Sequence, residues 1–313
     1  MSGLVAAGTL GGFDGMTVSR AATHASCSQC SPPTWHVVET ANFKIYCYGS
    51  SGVSPQTAIA CESLRTKLAA RWLADPQREW SPKCDLVLHT SDEGYLREVG
   101  AAGRSTAAST LIDRTAGRVS LRRIDVKATR PGWHEGALGH ELTHVLLADR
   151  FARHALPRWV DEGVAILADT SDKQRRHRQD LEQALAARRE FRLIELVTLI
   201  DYPEAHRWGA FYGQSASLVD FLVQRFGEQP FLDFVDAAGK QGYERALATA
   251  YQLSTAELER QWRAHVAGSS AIASREAATR GPFAGQAILL ARPVIGSSTS
   301  SDTVDASPAQ PRS

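Results

Sequence analysis

Between residues 42 and 48 apolar and polar positions alternate, with Phe43, Ile45 and Cys47 on one face, the period-two pattern of a half-buried strand. Segments 85–90 and 119–127 read as two further strands. Between the first two lies a helical stripe over 58–73, carried by Ile59, Leu64, Leu68 and Trp72. From residue 137 onward the pattern is helical. Ala137-Leu138-Gly139 and Val145-Leu146-Leu147-Ala148 flank a buried helix, and further helices are expected at 159–168, 173–189, 209–226, 229–238, 243–251 and 255–267. Ser254 and Glu257 form a capping box for the last of these. Strands first and helices afterwards predict an α+β fold, with an N-terminal mixed-sheet lobe and a C-terminal all-helical lobe flanking a cleft. Residues 1–31 and 269–313, rich in small and polar side chains, are expected to be a disordered leader and tail around one domain at 32–268. Segment 92–116, also rich in small residues, reads as a mobile rim above the cleft.

Composition narrows the classes. With 43% hydrophobic and 22% charged residues, the 313-residue chain is an ordinary globular one. A net charge of +1 gives no strong pull toward nucleic acid or acidic membranes, and the basic run at 173–178 reads as a solvated helix face. No apolar run approaches the roughly 20 residues that span a bilayer. A monomer is assumed. Of five cysteines, Cys27 and Cys30 form an isolated CxxC pair without zinc-ribbon spacing, Cys61 and Cys84 are expected to bridge the first helix to the sheet, and Cys47 remains a buried thiol.

The candidate chemistry lies in His140-Glu141-Leu142-Thr143-His144. Histidines four apart on a helix share a face, so both imidazoles reach one ion, and Glu141 beside them can hold the water that the ion polarises. Chance supplies the bare pattern often enough that its context must carry it. Here two histidines and a glutamate lie in a stretch too apolar to bury them unpaired, whereas the bland alternative is two core histidines satisfied by hydrogen bonds. A zinc site needs a third protein ligand, and Glu162 in Trp159-Val160-Asp161-Glu162-Gly163 returns after seventeen residues, enough for a turn and an antiparallel second helix. Gly163 would let these two helices approach, and Asp161 reads as a partner that orients a ligand. The bland reading of Asp161 and Glu162 is a pair of first-turn acids favoured by the helix dipole.

These residues resemble the gluzincin metallopeptidases, specifically the peptidase MA-like group. The likeness extends to Tyr202-Pro203, to Phe211-Tyr212-Gly213-Gln214-Ser215 opening a helix, and to Ala246-Leu247, Tyr251 and Leu258-Glu259-x-x-Trp262, roughly residues 35 to 268 in all. It implies a thermolysin-like core, a Zn2+ ion held by His140, His144 and Glu162, and hydrolysis of a peptide or protein substrate with Glu141 as general base. Tyr212 is the favoured donor to the developing oxyanion, with His206 the alternative. The strand at 119–127 is expected to be the edge along which an extended peptide pairs, with Arg122 and Arg123 near its carbonyls or carboxylates. Two other functions stay open: a zinc-binding scaffold with a vestigial site, and a metal-dependent hydrolase of non-peptide amides or cell-wall crosslinks. The family is largely exported, which implies a periplasmic, envelope or secreted location. Residues 4–10 make no clear signal peptide, however, and a cytoplasmic location is the alternative.

Overall fold

A computed structural model describes residues 34–49, 53–129, 132–154 and 156–279. Strands β1 (Thr34–Glu39) and β2 (Phe43–Gly49) precede helix α1 (Pro55–Trp72), strand β3 (Cys84–His89) and helix α2 (Asp92–Val99). A 3-10 turn at Ala101–Ser105 leads into strands β4 (Ala108–Thr115) and β5 (Arg118–Lys127). The rest is helical: α3 (Ala137–Arg150), α4 (Arg158–Ile166), α5 (Ser171–Ala186), α6 (Leu193–Val197), a turn at Ala205–Arg207, α7 (Trp208–Phe226), α8 (Glu228–Gln241), α9 (Tyr243–Tyr251) and α10 (Thr255–Thr279). The architecture is the expected α+β one, a five-stranded mixed sheet followed by the motif helix and a helical region. Described residues 34–266 belong to one compact unit, and α10 runs past the boundary expected at 268. The remainder of the expected leader and tail, with Cys27 and Cys30, lies outside the described residues. None of the described helices is long and apolar enough to cross a membrane.

The sheet order is β1-β2-β3-β5-β4. β2, β3 and β5 run parallel, while β1 and β4 pair antiparallel at the two edges. This corrects the expected peptide edge. β5 is interior, paired on both sides, and the strand at the edge beside it is β4, inside the segment read as a rim. β4 escapes the pattern because small and polar residues such as Ala108, Ser109 and Thr110 mimic a loop. Arg122 and Arg123 are likewise committed elsewhere. Arg122 is buried, donating to Pro82 O at 2.7 Å and to Asp149, while Arg123 grips both oxygens of Asp125 at 2.8 and 2.9 Å.

Two hydrophobic cores result. Phe43, Ile45, Leu86, Leu88, Ile124 and Val126 pack one sheet face against α1 and against Leu138, Leu142, Val145 and Leu146 of α3. Leu147 and Phe151 of the same helix enter the second core, built around Trp159, Phe211, Leu218 and Trp262. Serving both cores buries α3 all round from Leu138 to Ala148. On α1 the buried stripe is Ala58, Cys61, Arg65, Leu68, Ala69 and Trp72, whereas Ile59, expected inside, is 65% exposed. Cys61 and Cys84 do not bridge. With Cys47 they are free thiols in the sheet core, packed as small apolar groups, and burial pushes Cys61 up to about 12. The expected bridge therefore lends no support to an oxidising compartment.

Candidate metal centre

α3 and α4 pack against each other, and their facing side chains bring together His140, His144 and Glu162, each almost wholly buried. One potential ligand atom from each lies within 4.8 Å of the others. His140 Nε2 is 3.7 Å from Glu162 Oε2, and the two imidazole centroids are 5.0 Å apart. His140 Nε2, His144 Nε2 and Glu162 Oε2 all lack a hydrogen-bond partner. Three buried polar atoms facing one another without partners are costly by themselves and fit a cation, which satisfies all three at once. Two imidazole nitrogens and a carboxylate oxygen are the donor set of an open catalytic zinc site.

The opposite side of every ligand is engaged. His144 Nδ1 meets Asp161 Oδ1 at 2.7 Å, and His140 Nδ1 meets Asp169 Oδ2 at 3.2 Å, Asp169 being held in turn by Lys173 Nζ at 2.8 Å. These carboxylates place the ring proton on Nδ1 and leave the Nε2 lone pair for an ion. Burial opposes charging of both rings, but Asp161 pushes His144 up to about 10 and Asp169 raises His140, so each imidazole is a strengthened donor. On Glu162, Oε1 accepts a hydrogen bond from the Tyr202 hydroxyl. Burial and the neighbouring Glu162 raise the Tyr202 phenol, which keeps its proton to donate.

Glu141, also buried, accepts from Thr110 Oγ1 at 2.6 Å through Oε2. Edge strand β4 is thereby tied to the carboxylate beside the histidines. Asp161 sits as the sequence suggested. Local pattern along the chain assigns no role to Asp169 or Thr110, and marks Tyr202 only within the Tyr202-Pro203 pair. The local signal was there for Asp169, a carboxylate just past α4, but it reads equally as a helix-end residue.

The charges of Glu162 and Glu141 act on Tyr212, whereas His206 lies among other residues. Tyr212 is buried on α7, its hydroxyl has no hydrogen-bond partner among the described residues, and its phenol is raised by burial and by the charges of Glu162 and Glu141. His206 is exposed, 3.3 Å from Glu204, and lines a cavity of about 380 Å3 together with Asp180, Arg188 and Arg207, none of them metal-site residues. The rest of the Phe211–Ser215 segment builds the scaffold. Gln214 bonds both backbone groups of Phe191, at 2.9 and 2.8 Å. A Cβ on Gly213 would collide with His177 O, so α7 lies directly against α5 there. Gly163 serves the same purpose between α4 and α7, rather than between α3 and α4 as the sequence suggested, since its Cβ would meet Ser215 O and Val219 Cγ2 at 2.6 Å.

No curated protein matches the chain. Residues 118–268, from β5 through both motif helices and into α10, match the family model of the Peptidase MA superfamily. With the buried His140-His144-Glu162 cluster at its centre, this segment is a Peptidase MA superfamily domain.

Proposed function

We propose that the protein is a zinc-dependent metallopeptidase that hydrolyses peptide bonds in peptide or protein substrates, with His140, His144 and Glu162 holding the ion. The observation that carries this reading is the convergence of three partnerless buried ligand atoms beside a carboxylate that is not one of them. Zinc bound there supplies Lewis acidity, polarising a carbonyl and making water acidic near neutrality. Glu141 is the general base. Thr110 occupies its Oε2, leaving Oε1 to take the proton of the attacking water and to pass it to the leaving amine. The Tyr212 hydroxyl donates to the carbonyl oxygen as negative charge builds on it. An extended substrate adds to the sheet along β4, the edge strand that carries Thr110.

The test is digestion of a peptide library with and without a chelator, by the wild type and by Glu141→Gln. Cleavage by the wild type should require metal, and the variant should keep its zinc while losing cleavage. Cleavage that survives chelation, or that persists in Glu141→Gln, overturns the assignment.

A further inference from the structure

We infer that Tyr202 is a positioning residue of the metal centre, its phenol occupying one oxygen of Glu162 so that the other alone is presented to the ion. The inference rests on the reading of His140, His144 and Glu162 as ligands. A carboxylate with both oxygens available can bind a cation through one or through two, and the second mode raises the coordination number at the expense of the water position. In this structure the Tyr202 hydroxyl donates to Oε1, while Oε2 points to His140 Nε2 at 3.7 Å and has no partner. The phenol is well anchored. The Phe211 ring meets it edge-on at 5.9 Å, the Arg158 guanidinium lies 4.9 Å over it, and the following Pro203 is pinned by Trp208 Nε1 at 2.8 Å.

The chemistry of the three supports is complementary. The imidazoles each face an acceptor, Asp169 and Asp161, whereas the carboxylate ligand faces a neutral donor. A second carboxylate beside Glu162 would repel it, and a cationic partner would compete with the ion for its charge. A phenol fixes the carboxylate without doing either. Tyr202 lies 40 residues from Glu162, on the segment between α6 and α7, so this segment is a structural part of the centre.

Tyr202→Phe keeps the ring and removes the bond. In a competition titration against a chromophoric chelator, the variant should bind Zn2+ about 10- to 100-fold more weakly than the wild type. Loaded with Co2+, it should show a weaker visible absorption band as the second glutamate oxygen binds and coordination rises from four to five. Zn2+ affinity within twofold of the wild type, with an unchanged Co2+ spectrum, overturns the inference. The same titration on Glu162→Ala with and without Tyr202→Phe guards against a general folding effect. Without Glu162 the second substitution should cost no further affinity, and an equal loss in both backgrounds also overturns the inference. A wild type that fails to bind Zn2+ refutes the metal-site reading itself, a result distinct from either of these.

Discussion

His177 should make the fold sensitive to acid. It is buried on α5, with its ring 5.8 Å from that of Tyr212, and neither of its nitrogens has a hydrogen-bond partner. Burial lowers it to about 4, from an ordinary value of 6.5. As pH falls through 6.5 the unfolded chain takes up a proton that the folded chain refuses until about pH 4, so stability is lost across that window. A gap of about 2.5 units corresponds to about 3 kcal/mol, of which about 2.5 kcal/mol has gone by pH 4.5. The comparison is with His177→Leu, which has the same apolar neighbours and no titrating group. Urea unfolding of both proteins, metal-free, at pH 7, 5.5 and 4.5 gives the difference directly. Near pH 7 the variant should be at least as stable as the wild type, because two unpartnered buried nitrogens are gone. Its advantage should then grow by about 2.5 kcal/mol toward pH 4.5. A stability difference that stays constant between pH 7 and 4.5 refutes the argument, since it means that His177 protonates equally well folded and unfolded.

Tyr212→Phe should lower kcat by roughly ten- to a thousandfold with little change in zinc content if the hydroxyl stabilises the oxyanion; unchanged kcat assigns Tyr212 to packing alone. Gly163→Ala forces a Cβ to 2.6 Å from Ser215 O and Val219 Cγ2, and should lower the unfolding free energy by about 1–3 kcal/mol. Denaturant midpoints measure that cost, and a neutral substitution would mean that α4 and α7 can separate freely.

Which parts of the centre could be read from the chain follows from what sets each one. His140, Glu141 and His144 lie on one turn of helix, and Asp161 and Glu162 on the next helix, so spacing along the chain fixes their mutual placement. Tyr202, Thr110 and Asp169 reach their partners across 40, 31 and 29 residues, where no local period applies. β1 and β4 leave no clear signal in the chain for a related reason. Edge strands are not held to the hydrophobic alternation of interior ones, and β1 turns Trp35 and Val37 outward, 54% and 50% exposed. On α1 a large apolar residue, Ile59, drew the stripe away from the small side chains Ala58 and Cys61, which pack because little room is left between helix and sheet.

The bond from Thr110 to Glu141 bears on where along a chain such an enzyme would cut. Successive residues of a strand face opposite ways, so the side chain of Thr110 fixes which positions of β4 are in phase with Glu141, the proposed base. A peptide paired along that edge inherits the phase: sliding it by one residue turns every side chain to the other face, and only a slide of two restores the pattern. On the proposed mode of binding, the scissile bond is then chosen in steps of two residues. Sequence preference would alternate along the substrate, with every second side chain turned toward the protein and those between turned toward solvent.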